Sequence, residues 1–240
     1  MIRSLVLVVF YLVAVPTIGM VGIPWTFLTG SVEWMYRTAM RATFFGVRLI
    51  GVRVEVIGLD SFDRAGTYIY MCNHVSNLDP PIVVPLIPRR TSVLVKKEVF
   101  RIPILSRAMT MARFVPVDRA NRDAAIASIQ RATDVMRSGI NLTVFPEGTR
   151  SAEGRLLPFK KGPFHLAMES GMPVLPMTIY GTETMLPRGE WKIRKGTATV
   201  VFHPPCFPGD YGSREELTEA VRRAIDSSLP PHLRDPASVR

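Results

Sequence analysis

The chain has 240 residues and a formal net charge of +10, which is enough for one α/β domain and a short additional segment. Hydrophobic residues make up 47% of the sequence and indicate contact with a membrane, while the charge predicts an anionic lipid, a phosphorylated substrate or nucleic acid as partner. The two cysteines, Cys72 and Cys206, exclude a disulfide framework and a zinc spacing, and they favour a reducing compartment.

The first 50 residues are predicted to be a membrane anchor followed by an interfacial helix. No charged residue occurs between Arg3 and Glu33, a longer gap than the ~20 apolar residues that cross the hydrocarbon core as a helix. Pro16 and Pro24 interrupt this run together with two glycines, so a bent or re-entrant helix fits it as well as a straight span. The alternative is a signal peptide, but the run is long and offers no cleavage site, so we expect a retained anchor.

The segment 34–50 mixes aromatic residues with spaced arginines. This pattern predicts an amphipathic helix at the depth of the lipid headgroups. A helix packed on the domain with a solvated basic edge gives the same pattern. We expect the anchor and this helix to occupy residues 1–50, and a single domain to occupy residues 51–240.

Beyond residue 50, short apolar runs alternate with segments of helical periodicity. The predicted strands are 52–57, 67–72, 92–95, 114–117, 142–145, 174–180 and 198–203. The predicted helices are 80–86, 104–112, 122–138, 161–169 and 213–227, the last opened by a capping box. This alternation predicts a mixed β-sheet with helices on both faces, in which ligands bind beyond the strand ends.

Polar residues follow three of these strands and are candidates for one shared pocket. They are His74 after the second strand, Asp118 and Arg119 after the fourth, and Glu147 to Arg150 after the fifth. Residues 89–122 also carry nine basic and two acidic side chains, which is +7 of the net charge of +10. Apolar residues lie between them, so we expect a membrane-facing or phosphate-binding surface. Nucleic acid would account for the charge but not for the anchor, and is not expected as a partner.

Residues 73–80 read NHVSNLDP and have two interpretations. Asp79 followed by Pro80 is a standard helix start, with the aspartate as N-cap, and His74 is then an ordinary loop residue. Alternatively, His74 is a general base and Asp79 the carboxylate that orients its ring. A carboxylate has about four acceptor sites, so we expect Asp79 to cap the helix and hold His74 at once.

Residues 145–151 read FPEGTRS, and four blocks occur in order: NHVSNLDP, FVPVDR at 114–119, FPEGTRS and MPVLP at 172–176. The ordered set resembles the glycerolipid acyltransferases, in particular the lysophosphatidic acid acyltransferases, over about residues 50–205. The first block alone is weakly specific, whereas FPEGTRS and above all the complete order are strongly specific.

The resemblance implies an enzyme that moves a fatty acyl group from acyl-CoA or acyl carrier protein to the sn-2 hydroxyl of lysophosphatidic acid, giving phosphatidic acid. It implies His74 as general base oriented by Asp79, no acyl-enzyme, no metal and no cofactor beyond the acyl donor. It also implies a set of substrate-binding residues: Glu147, Gly148, Thr149, Arg150, Arg119 and Lys97.

Within that set, several roles remain open. Arg150 is the first choice for the acceptor phosphate, because guanidinium groups bind phosphate in bidentate fashion, and Arg119 is the second. Glu147 either accepts a hydrogen bond from the acceptor or holds Arg150. The Gly148 N–H is a candidate donor to the oxyanion, and Lys97 is a further candidate near it.

Two alternative functions remain at this point. One is a same-fold acyltransferase for another lysophospholipid or a glycolipid, and the other is a non-catalytic lipid-binding membrane protein. For the acyltransferase we expect the lipid bilayer as partner and the cytoplasmic face of a bacterial cell membrane as location.

Overall fold

The protein is described by a computed structural model that covers residues 1–118, 122–151 and 153–234. Its strands are β1 (Val52–Ile57), β2 (Ile69–Cys72), β3 (Thr91–Lys96), β4 (Val115–Val117), β5 (Asn141–Val144), β6 (Val174–Tyr180) and β7 (Gly196–Phe202). They form one sheet in the order β1-β7-β6-β2-β5-β3-β4. The β6–β7 pair is antiparallel and the other described pairs are parallel. The predicted mixed sheet is confirmed.

Helices cover both faces of this sheet, as predicted. They are α1 (Ile2–Thr29), α2 (Glu33–Leu49), α3 (Asp79–Leu86), α4 (Pro103–Met111), α5 (Arg122–Arg137), α6 (Lys161–Ser170), α7 (Thr182–Met185) and α8 (Arg214–Ser227). Side chains of α2 and α3 share one core cluster with Tyr70 and Cys72, whereas those of α5, α6 and α8 share the other with Ile69 and Met71. Successive residues of β2 therefore face opposite layers, which is why this strand is apolar at every position.

The N-terminal segment forms one continuous helix through Pro16 and Pro24, so the bend or re-entrant turn that the sequence allows is not observed. Its glycines serve close packing instead. A Cβ on Gly19 would lie 2.2 Å from Cγ2 of Ile104 in α4, and one on Gly22 would lie 2.5 Å from Cγ of Met35 in α2. The helix is long and apolar enough to cross a membrane by length and composition.

Behind the sheet, His203 joins β6, β7 and α8. Its Nε2 lies 2.8 Å from Thr178 Oγ1, and that hydroxyl donates to the carbonyl of Ile225 at 2.7 Å. Because the hydroxyl hydrogen is already used, His203 must donate from Nε2. Burial lowers the pKa of His203 to about 4.

This histidine predicts a loss of stability in acid. Unfolded histidine has a pKa near ~6.5, so between pH 6.5 and about 4 the unfolded chain binds a proton that the folded chain excludes. The contribution is present above pH 6.5 and falls by about 2 kcal/mol between pH 7 and pH 5. In urea unfolding at both pH values, His203→Gln should lack that part of the pH dependence. His165→Gln, which alters an exposed histidine of α6, is the control and should retain it.

Candidate active site

The loops after β2 and β5 meet at one edge of the sheet, because these two strands are parallel neighbours. The N–H of His74 donates to Glu147 Oε1 at 2.7 Å, and the carbonyl of His74 accepts from the N–H of Ser151 at 2.8 Å. The two motif segments that are 73 positions apart in sequence are thus joined on both sides of His74 by its own backbone.

The ring of His74 is paired with a buried carboxylate. Its Nδ1 lies 2.8 Å from Asp79 Oδ2, and since an ionised carboxylate only accepts, this pattern assigns the hydrogen to Nδ1 and leaves the lone pair on Nε2. No partner of Nε2 occurs within residues 1–118, 122–151 and 153–234, and 11% of the side chain is exposed. The Phe145 ring lies 4.4 Å from the imidazole, centroid to centroid.

Asp79 is fully buried and accepts four hydrogen bonds. Besides His74, the N–H groups of Val75 and Ser76 donate to Oδ2, each at 2.7 Å, and Thr182 Oγ1 donates to Oδ1 at 2.6 Å. Multiple donors favour the ionised carboxylate and fix its orientation. The carboxyl group that the ring faces is therefore held in one orientation.

The predicted capping role of Asp79 is wrong. The helix α3 begins at Asp79 itself, after Leu78 as N-cap, and no side chain caps it. The next two residues are Pro80 and Pro81, which have no backbone N–H for a carboxylate to accept from. The next N–H along the helix, that of Ile82, donates to the carbonyl of Leu78 at 3.2 Å. The carboxylate of Asp79 accepts instead from the loop that carries His74.

Thr182, which is not among the predicted site residues, is the first residue of α7 and the donor to Asp79 Oδ1. It lies outside the four blocks, 103 positions from Asp79. Thr182 reaches the carboxylate because it follows β6, which pairs with β2 on the side opposite β5. No local signal in the sequence marks this residue, so finding it requires the strand order.

Both carboxylate oxygens of Glu147 accept backbone hydrogen bonds. Its Oε1 accepts from the N–H of His74, and its Oε2 accepts from the N–H of Leu157 at 2.9 Å. No described ion pair joins it to Arg150. Burial raises the pKa of Glu147 to about 7, and the two backbone hydrogen bonds oppose this shift. Glu147 therefore fastens two loops together, and its contact with the acceptor stays a prediction.

The Gly148 N–H donates to the carbonyl of Phe145 at 3.0 Å, and its role as an oxyanion donor stays a prediction. Gly148 has a φ of 70°, a left-handed conformation that glycine adopts without strain. The residue thus closes the tight turn of FPEGTRS.

The remaining predicted substrate residues are in different surroundings. Thr149 is exposed and Arg150 half-buried beside Ser151, and no ion pair of the Arg150 guanidinium occurs among the described residues. Lys97 follows β3 and pairs with Asp118, Nζ to Oδ2 2.5 Å. Arg119 lies outside the described residues.

The predicted single pocket for three strand ends is only partly correct. The strands β2 and β5 are neighbours, but β3 separates β5 from β4, so Asp118 does not follow an adjacent strand. An apolar cavity of about 290 Å³ is bounded by Phe145, Pro146 and Gly148 and reaches Leu94 and Leu166. Neither His74 nor Asp79 lines it, and the Phe145 ring, which contacts the imidazole, links the cavity to the pair. Among the described residues, no three His, Cys, Asp or Glu side chains group as a metal site would require.

Taken as a class, the fold and site are those of an α/β enzyme with an oriented imidazole where two neighbouring strands of the sheet end. The model of the Acyltransferase family matches residues 53–180, and the chain belongs to that family.

Several of its relatives have the same enzyme name. The chain is 36% identical to the 1-acyl-sn-glycerol-3-phosphate acyltransferase of Limnanthes alba over 186 residues, which cover 74% of this chain and 66% of that protein. It is 38% identical to the protein of the same name from Cocos nucifera over 144 residues, 60% of this chain and 47% of that one. The chain therefore spans from about half to just under two thirds of these relatives.

A solved structure matches nearly the whole chain. The crystal structure of the 1-acyl-sn-glycerophosphate acyltransferase from Thermotoga maritima has a TM-score of 0.77 and 28% identity, and the match covers 93% of both chains.

Proposed function

We propose that this chain transfers a fatty acyl group from acyl-CoA or acyl carrier protein to the sn-2 hydroxyl of lysophosphatidic acid, giving phosphatidic acid. The observation that carries the proposal is the His74–Asp79 pair, whose Nε2 keeps its lone pair and whose imidazole lies against Phe145, a residue that also lines an apolar cavity. Membership of the Acyltransferase family and the names of the relatives support it.

In the proposed step, His74 Nε2 removes the hydroxyl proton of the acceptor while the alcohol oxygen attacks the thioester carbonyl. The tetrahedral intermediate then expels the thiolate, which takes the proton back from the imidazolium. Asp79 stabilises that imidazolium and keeps the Nδ1 hydrogen in place. Atoms and charge balance without any further reactant.

Direct transfer, without an acyl-enzyme, is supported by the position of Ser76. This is the hydroxyl residue of the NHVSNLDP block, and its Oγ donates to the carbonyl of Leu186 at 2.8 Å while it is itself fully buried. Its hydrogen points away from the imidazole, so His74 acts on the acceptor.

For the membrane we propose that residues 1–50 hold the 51–240 domain on the cytoplasmic face of a bacterial cell membrane. Exposed apolar residues of α1 recur at helical spacing: Ile2, Leu5, Val9 and Leu12. The opposite side of α1 packs on the domain, from Ser4 at its start to Gly22 near its end. This packing favours a helix that lies in one interface over one that crosses the bilayer, because crossing would carry the packed domain with it.

A panel of lysolipids, assayed by release of free thiol from acyl-CoA and from acyl carrier protein, tests the function. Turnover that is fastest with lysophosphatidic acid supports the proposal and identifies the donor. Faster turnover with another lysophospholipid or a glycolipid would replace the acceptor. If no thiol were released with any of the acceptors, a non-catalytic lipid-binding protein would be favoured instead.

Arg150→Ala is expected to raise the KM for lysophosphatidic acid by about 10- to 100-fold, because a bidentate charge-assisted contact to phosphate is lost. The KM for the acyl donor should change little. Steady-state kinetics with each substrate varied in turn measure both values. Arg155→Ala, in the same loop and exposed, is the matched control. An equal rise for donor and acceptor would place the phosphate elsewhere.

A further inference from the structure

The loop of residues 187–195, between α7 and β7, is a basic surface segment next to the candidate site. It contains four basic residues and one acidic residue, a net charge of +3: Arg188, Lys192, Arg194 and Lys195 against Glu190. Trp191 stands in the middle with 65% of its surface exposed. An exposed tryptophan among cations is costly in water but is common where a protein meets lipid headgroups.

This loop is fixed against the start of α1. Ser4 is buried, donates from Oγ to the carbonyl of Trp191 at 2.7 Å, and accepts from the N–H of Ile193 at 3.0 Å. The side chain of Ile193 is buried in the core. The adjacent residues Ile2 and Leu5 are exposed and apolar. Trp191 is thus held, with little freedom of its backbone, beside the apolar end of the proposed membrane helix.

The 187–195 loop and the residue just before it, Leu186, contact both motif segments. Ser76 of the NHVSNLDP block donates to the carbonyl of Leu186, and Arg188 NH1 donates to the carbonyl of Arg150 at 3.1 Å. A force that positions the 187–195 loop therefore also positions the two segments that hold His74.

We propose that the 187–195 loop is a second membrane-contact element, which binds an anionic lipid surface with Trp191 at headgroup depth and its cations on the lipid phosphates. The proposal rests on the membrane association proposed above. A lipid surface is favoured over an acidic protein partner because the Trp191 backbone is bonded to Ser4 of α1, and the residues Ile2 and Leu5 on the same helix turn are exposed and apolar. The loop would hold the edge of the sheet that carries His74 against the source of its amphiphilic substrates.

Tryptophan quenching by brominated lipids tests this contact directly. The chain has three tryptophans, so Trp25→Phe with Trp34→Phe leaves Trp191 as sole reporter, and Trp34→Phe with Trp191→Phe leaves Trp25 in α1. Each full-length variant is bound to phosphatidylcholine–phosphatidylglycerol vesicles with or without bromine on the acyl chains. We expect brominated vesicles to quench Trp191 and shift its emission to the blue.

The two reporters separate the possible failures. Quenching of Trp25 without quenching of Trp191 overturns the proposal for the loop and leaves the membrane helix standing. If neither reporter is quenched, the membrane association on which the proposal rests fails as well. Acrylamide quenching of Trp191 gives a further comparison. Protection of Trp191 by added acyl carrier protein, and not by lipid vesicles, would assign the loop to a protein partner and also overturn the proposal.

Charge provides a second measurement. Each cation near an anionic surface contributes roughly fivefold to binding, so Lys192→Ala should lower vesicle affinity by about that factor at a high phosphatidylglycerol fraction. The loss should disappear on pure phosphatidylcholine. Arg223→Ala is the control, because this exposed arginine of α8 lies on the opposite face of the sheet from α2. Equal losses for both variants would show that only net charge matters, and would contradict a specific contact.

Discussion

Replacing His74 by alanine is expected to lower kcat by about 10²- to 10⁴-fold, the usual effect of removing a general base. The alcohol of the acceptor would then have to attack without a partner for its proton. Affinity for both substrates should persist, because the proposed phosphate contact is on Arg150. Thiol release under saturating acyl donor and lysophosphatidic acid measures kcat.

The fold should survive this change for a structural reason. The backbone of His74 is held by Glu147 and Ser151 on either side, and neither bond involves the ring. Thermal unfolding of the variant and of the unaltered protein, both in one detergent, should therefore show transitions at similar temperatures. His165→Ala, at an exposed position of α6, is the matched control and should keep full activity. Unchanged turnover in His74→Ala would remove the general base from the mechanism.

The sheet was predictable because each strand has a local pattern. The strand β1 has exposed residues at every second position, and β2, β5 and β6 are mostly apolar segments that are buried at nearly every position. These runs are short and bounded by loop residues, so their positions were predicted to within two residues. Their order in the sheet has no local pattern, because it depends on which strands the connecting helices bring together.

The candidate site shows the same division. His74 and Asp79 are five residues apart, and the pairing of two such close groups is a local matter. The direction in which the Asp79 carboxylate turns is favoured by the absence of an N–H at Pro80 and Pro81, and this absence is visible in the sequence. Thr182 and the true role of Glu147 depend on contacts across strands, and these require the fold.

The glycines of α1 give a third case. In sequence, Gly19 and Gly22 indicate a weak point of a helix, since glycine lowers helix propensity. In the structure the same two residues allow α4 and α2 to approach α1 closely. A pattern that permits bending and one that permits contact are identical in sequence, and only a packing partner distinguishes them.

Asp79→Asn should lower kcat by about 10- to 100-fold, the effect expected when the imidazolium faces a neutral amide in place of a carboxylate. The substitution is nearly isosteric and has a place to go. If the amide nitrogen takes the position of Oδ1, it can donate to the hydroxyl of Thr182, which also accepts. The remaining oxygen can still accept from His74 Nδ1 and from the N–H groups of Val75 and Ser76. Geometry would be kept and only the negative charge lost, so kcat should fall while both KM values stay close to normal.

A double variant distinguishes this mechanism from a general weakening of the protein. If Asp79 acts through the ring of His74, then Asp79→Asn has nothing left to remove once the ring is gone, because residues that act as a unit are not additive. The kcat of His74→Ala with Asp79→Asn should therefore equal that of His74→Ala alone, as measured by thiol release at saturation. A further loss of the full size of the single Asp79→Asn effect would show that the carboxylate acts independently of the imidazole, and the proposed pair would then have to be abandoned.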